Sequence, residues 1–135
     1  MAFKGLKAKA EMGYAEAQFN LGGFYDNGIG VARDGVEAMK WQRKAADQGF
    51  AAAQSYLGMC YANGEGVAKD EVEAYACINL AGITNKVARE YLAVLEGKLS
   101  RDEVAAGQKR TKELQKEIEA KIAAKKAVDE KKAGK

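Results

Sequence analysis

The chain has 135 residues, 47% of them apolar, with 22 Lys and Arg against 19 Asp and Glu, no Pro and no His. That length suits one domain with a real core, and no apolar run approaches the ~20 residues that span a bilayer. Lack of imidazole removes the commonest general base and a leading metal ligand, and Cys60 and Cys77 form no C-x-x-C pair, so neither a cofactor nor a metal site is expected.

Residues 10–38 laid over 46–74 coincide at 17 of 29 positions, among them Ala17/Ala53, Leu21/Leu57, Gly22/Gly58, Tyr25/Tyr61, Asp34/Asp70 and Glu37/Glu73. A 36-residue unit of this kind is too short to bury its own apolar face, so copies must stack, and the fold predicted is an all-α solenoid. In chain order the pattern predicts helices near 2–12, 15–26, 34–48, 51–62, 70–82, 86–96 and 101–126. Residues 2–13 match 38–49, so the first helix is the second half of a unit and offers an uncovered face. The next helix carries Ala17, Leu21, Phe24 and Tyr25 at helical spacing and stops at Asn27-Gly28-Ile29-Gly30, where glycine supplies φ > 0. Asp34 reads as the N-cap of the third helix, with Glu37 completing the acidic form of a capping box. The second copy repeats each part through Leu57, Asn63-Gly64-Glu65-Gly66 and Asp70 with Glu73. Gly22 and Gly58 lie inside helices, where glycine costs up to ~1 kcal/mol against alanine, so both predict close approach of a neighbouring helix.

Beyond residue 82 the pattern weakens. Ala88-Arg89-Glu90-Tyr91-Leu92 echoes residues 53–57 without a following Gly-x-Gly turn, and Gly97 is expected to end that helix. Ser100-Arg101-Asp102-Glu103 then opens a last helix with a capping box, its apolar side carried by Val104, Thr111, Leu114, Ile118 and Ile122. Residues 109–135 hold ten basic and five acidic side chains, leaving the rest near neutral. The chain thus divides into a repeat stack over 1–100 and a C-terminal capping helix over 101–135, whose charged tail is placed at the far end of the stack. The stack comprises a partial unit 2–13, units 13–48 and 49–83, and a degenerate unit 84–100.

The run A-x-A-Q-x-x-L-G-x-x-Y-x-N-G-x-G-V-A-[RK]-D-x-V-E-A, followed by Trp41 and Lys44-Ala45-Ala46, closely resembles the Sel-one-like repeat family, a relative of the tetratricopeptide repeats. The resemblance covers residues 2–82 directly. It implies a right-handed α-solenoid acting as an adaptor in protein complexes, often in bacterial signalling or envelope processes. By analogy with tetratricopeptide repeats, the concave face would carry Glu16, Phe19, Gly23, Asp26 and Asn27 from one unit and Ala52, Ser55, Met59, Ala62 and Asn63 from the next. One subgroup of the family is secreted, carries a disulfide in each repeat and is linked to β-lactam binding. Here both cysteines fall in the second unit, where they replace Phe24 and Trp41. Cys60 lies near the turn and Cys77 two helical turns along, so their Cα atoms are expected beyond the ~7 Å a bridge spans, and both read as buried free thiols.

The duplicated scaffold, without a single unrepeated catalytic constellation, points to a non-enzymatic protein-interaction module that binds a peptide or partner protein along the concave face. Glu16, Phe19, Asp26, Asn27, Ser55, Met59 and Asn63 are the candidate contacts, with Phe19 and Met59 as apolar anchors spanned by one extended peptide. Gly28, Gly30, Asp34, Gly64, Gly66 and Asp70 are assigned to turns and caps. The Gly-x-Gly turns lack the third glycine and preceding strand of a phosphate loop, and carboxylates repeated in consecutive units suit capping better than catalysis. The basic tail alternates Lys with Glu and lacks a stacking aromatic, so no nucleic-acid partner is expected. A β-lactam-binding or hydrolysing protein and a structural block that self-associates through its N-terminal end are the competing classes. With no visible signal in Met-Ala-Phe-Lys-Gly-Leu, a cytoplasmic location is expected, or a periplasmic or secreted one if a signal was trimmed.

Overall fold

A computed structural model describes residues 2–134 as seven helices: α1 (Ala2–Glu11), α2 (Ala15–Asn27), α3 (Gly35–Ala46), α4 (Ala51–Asn63), α5 (Glu71–Ala81), α6 (Lys86–Lys98) and α7 (Arg101–Ala133). The first five stack as a right-handed solenoid in which α2 pairs with α3 and α4 with α5. The predicted order and spans hold within a few residues, except that α7 stays helical well past residue 126.

The local chemistry is the same in both units. Gly28 and Gly64 take left-handed φ of 67° and 71° and return their N–H groups to the carbonyls of Phe24 and Cys60, closing α2 and α4. Gly30 and Gly66 repeat the left-handed conformation, and Phe3 and Met39 from the preceding unit lie 3.6 Å from where a side chain would begin. Asp34 Oδ1 accepts from the N–H groups of Val36 and Glu37, and Asp70 Oδ1 from that of Glu73. The capping box does not close in either unit. The N–H groups of Asp34 and Asp70 donate instead to the carbonyls of Tyr25 and Tyr61, both at 2.9 Å, which pins each helix start to the end of the helix before it. Glu37 and Glu73 are thereby released for ion pairs with Lys40 and Arg110. Among the described residues only Ser100 and Glu103, at the start of α7, form the reciprocal box.

Two core clusters follow. One joins Ala10, Ala17, Leu21, Tyr25, Ala38 and Trp41; the other joins Met39, Ala45, Ala46, Ala53, Leu57, Cys60 and Cys77. A Cβ on Gly22 would stand 2.7 Å from Gln42 Nε2, and one on Gly58 only 2.5 Å from Ile78 Cδ1. The two receiving glycines and the two inserted side chains each stand one repeat apart.

Two expectations are corrected. Gly97 lies inside α6, which ends at Lys98, because the backbone turns extended at Leu99 to let Ser100 cap α7. The basic tail is also not confined to the far end. Gly107 lies against the Tyr75 ring, Arg110 binds both oxygens of Glu73 at 2.6 and 3.2 Å, and Ile118 is buried. Farther on, Lys121 reaches Asp47 at 2.9 Å and Lys125 reaches the Gly13 carbonyl at 3.4 Å. At 1.5 Å per residue its 33 residues span about 50 Å, so α7 covers α5 as a cap and then runs back along the inter-repeat turns as a strut.

Gly58→Ala is expected to cost about 1–3 kcal/mol, because Ile78 is fully buried and has nowhere to retreat. Gly23→Ala, one residue beyond Gly22 with nothing within 4 Å of its Cβ, should stabilise by up to ~1 kcal/mol. Urea unfolding of the two variants checks both signs. Glu73→Gln, which removes a carboxylate from a partly buried bidentate pair, should lower stability by about 1 kcal/mol in the same measurement.

Candidate functional site

The candidate side chains lie on α2 and α4 and differ in how far they are engaged within the stack. Phe19 is half-buried and stacks on Phe50, the residue preceding α4, with ring centroids 5.4 Å apart and planes tilted by 41°. It also packs against the second core cluster, so it serves the α2–α4 junction as well as the surface. Met59 is 44% exposed and Ser55 half-buried, so Met59 is the freer apolar anchor. Asp26 is half-buried beside the Tyr56 hydroxyl; burial, then the neighbouring Cys60 and Asp26, pushes the Tyr56 phenol well above its ordinary range. Asp26 is thus partly engaged within the stack. Asn27 Nδ2 donates to the Gly23 carbonyl at 2.9 Å, while its body stays exposed.

Three crevices receive the remaining candidates. The first, about 370 Å³, has Phe19, Gly23 and Asn27 as its floor and Leu6, Phe24 and Ile29 as apolar walls. The second, about 600 Å³, adjoins it through Leu6 and Asn20 and carries Glu16 opposite Lys9 and Tyr14. Together they make one groove along α1 and α2. Asn63 lines a separate crevice of about 240 Å³, against Tyr91, Val94 and Lys98 of α6. From Phe19 the groove runs toward α1, and Met59 lines none of these three crevices.

Leu6, Asn20, Phe24 and Ile29 were outside the expected set, yet the repeat register carries their signal. Leu6 stands where Gln42 and Ile78 are fully buried, and Phe24 where Cys60 is buried, but both are only half-buried. No helix precedes α1 among the described residues to cover them. The groove offers apolar walls, side-chain amides and one charge of each sign, which suits recognition of an extended segment by shape and hydrogen bonding. Among the described residues no group of three or more His, Cys, Asp or Glu is placed to hold a metal ion, and no helix is long and apolar enough to cross a membrane. The residues assigned to turns and caps all serve there, as the positive φ of Gly28, Gly30, Gly64 and Gly66 and the Asp34 and Asp70 caps show.

Comparison with known proteins agrees with this architecture. A protective antigen of uropathogenic Escherichia coli displaying an SLR fold superposes with a TM-score of 0.81 and 32% identity, over 92% of this chain and 27% of that one. A Sel1 repeat protein from Oxalobacter formigenes gives a TM-score of 0.66 and 36% identity, over 69% of this chain and 39% of that one. The chain thus spans well under half the length of either. A search of curated proteins found no match. The Sel1 repeat matches residues 15–50 and 51–82, half of the sequence and both complete units, and the chain belongs to the Sel1 repeat family, whose members are generally protein-interaction scaffolds.

Proposed function

We propose that this chain is a non-catalytic scaffold that holds an extended segment of a protein partner in the groove along α1 and α2. The observation that carries the reading is the surplus of apolar surface there. Leu6 and Phe24 are half-buried where their equivalents Ile78 and Cys60 are buried, and half-buried Phe19 and exposed Ile29 extend the same apolar surface. Asn20 and Asn27 add hydrogen-bonding groups, and exposed Met59 gives the segment a second contact as it crosses to α4. Affinity in such grooves is concentrated in a few apolar anchors. The family's general role supports the scaffold reading; the groove is this chain's own.

The competing readings find less support. The subgroup linked to β-lactams relies on a disulfide in each repeat, whereas Cys60 and Cys77 are free and buried. Burial pushes the Cys77 thiol up to about 12 and raises that of Cys60. Self-association through α1 meets Lys9 and Gly5 at positions where Ala45 and Ala81, and Trp41 and Cys77, are buried in the other units. A second copy seated there would have to bury an ammonium group and leave a void.

Capture from native lysate supplies the partner, and Phe19→Ala with Met59→Ala should weaken its binding by at least ~1–2 kcal/mol, read by calorimetry. Because Phe19 also stacks on Phe50, circular dichroism must show the helical content intact, and Met59→Ala alone must show part of the loss. A folded double variant that binds normally overturns the groove assignment. The two thiols should resist a chromogenic disulfide reagent at pH 8 and react only on addition of denaturant; rapid reaction of the native chain would contradict their burial.

A further inference from the structure

We propose that the crevice where α7 lands on the inter-repeat turns is a second recognition site, which binds an acidic peptide segment of a partner through Lys44, Lys121 and Lys125. This surface shares no lining residue with the α1–α2 groove, and the proposal stands whether or not that groove binds anything. The crevice measures about 400 Å³ and brings together Lys44 at the end of α3, Lys121 and Lys125 of α7, and Asp47, Gln48 and Gly13 of the turns. Three ammonium groups meet one carboxylate there, a formal excess of two positive charges.

Only Lys121 spends its charge, on Asp47 at 2.9 Å. The Lys125 ammonium reaches the uncharged oxygens of Gly13 at 3.4 Å and Gln48 at 3.3 Å. Lys44 rests over the Trp41 ring, 4.6 Å from its centroid. Among the described residues neither Lys44 nor Lys125 has a carboxylate within ion-pair distance. The frame around them is held: Gln48 Nε2 donates to the Gly13 carbonyl at 2.8 Å and to Gln18 Oε1 at 2.9 Å, and buried Gln18 donates to the Ala10 carbonyl at 3.1 Å. The two charges without a carboxylate thus line the crevice from different elements, one from the repeat stack and one from the strut.

The chemistry selects the ligand. Separate ammonium groups act as point charges without the fork geometry of Arg, and it is the carbonyl of Gly13, not an amide, that meets Lys125. A single phosphate places its charge at one point, whereas the spaced carboxylates of a peptide can meet both lysines at once. Ile122, 42% exposed in the same crevice, adds apolar surface that a simple anion would leave unused. Exposed lysines bind weakly and with strong salt dependence, which suits an auxiliary contact.

The test is an amide-detected NMR titration of the whole chain with a capped pentapeptide of four glutamates around a central leucine. Expected are shifts in the side-chain amides of Gln18 and Gln48 and in the Gly13 backbone amide, lost as salt is raised. Lys44→Gln with Lys125→Gln should weaken binding at least ~10-fold, and Lys131→Gln with Lys132→Gln less than ~2-fold, since that exposed pair lies beyond the crevice. Lys125→Arg, which keeps the charge and the fold, should retain binding. Equal loss in the tail variant would show diffuse attraction, inorganic phosphate producing the same shifts at the same concentration would show an unselective anion site, and unmoved Gln18 and Gln48 signals would place the peptide elsewhere. Each of these outcomes overturns the proposal.

Discussion

The insertion of one side chain into a glycine notch sets the geometry of the stack. Gln42 presses into Gly22 and Ile78 into Gly58, and any Cβ at those glycines would collide at under 3 Å. This closeness lets small residues do the packing: Ala38, Ala45, Ala53, Ala74, Ala76 and Ala81 are all fully buried. The helix interior gives up some intrinsic propensity at each glycine, and gains a contact that neither an alanine nor a looser crossing could supply. The N–H groups of Asp34 and Asp70, given to Tyr25 and Tyr61 carbonyls, then hold each pair at a fixed turn, so the second unit is laid down in the same relation as the first.

Because each pair buries its apolar residues inward and toward its neighbour, the ends of the array face a different problem. At the C-terminal end the problem is solved within the chain. Tyr75, which has no following Gly-x-Gly turn to meet, packs against Gly107 of α7 instead, and Glu73, free of any capping duty, anchors Arg110. At the other end, α1 presents Lys9 and Gly5 to solvent yet leaves Leu6, Phe24 and Ile29 incompletely covered. The same frame gives α7 a second edge along the turns, and there its lysines collect.

The repeat, its caps and its glycine notches were legible in the sequence because they are local or recur at a fixed spacing. Identity of Gly22 with Gly58 and of Asp34 with Asp70 encodes the contact twice. The path of α7 was not legible: Lys121 with Asp47 and Lys125 with Gly13 join residues 74 and 112 positions apart, and no periodicity announces such pairs. The failed capping boxes show a subtler limit. The Asp-x-x-Glu spacing is correct, but the backbone of the preceding helix competes for the same N–H and wins. In the groove, the helical face holding Phe19 and Asn27 followed from spacing, whereas its wall at Leu6 depended on which equivalent positions lose their cover.

Hydrogen exchange of the chain with and without its captured partner locates the bound segment on the stack. A segment held in the α1–α2 groove adds protection in α1, in α2 and in the Asn27–Ile29 turn, and leaves α5 and the Arg110 region of α7 unchanged. Protection confined to α5, α6 and the start of α7, with α1 and α2 exchanging as in the free chain, would contradict that placement.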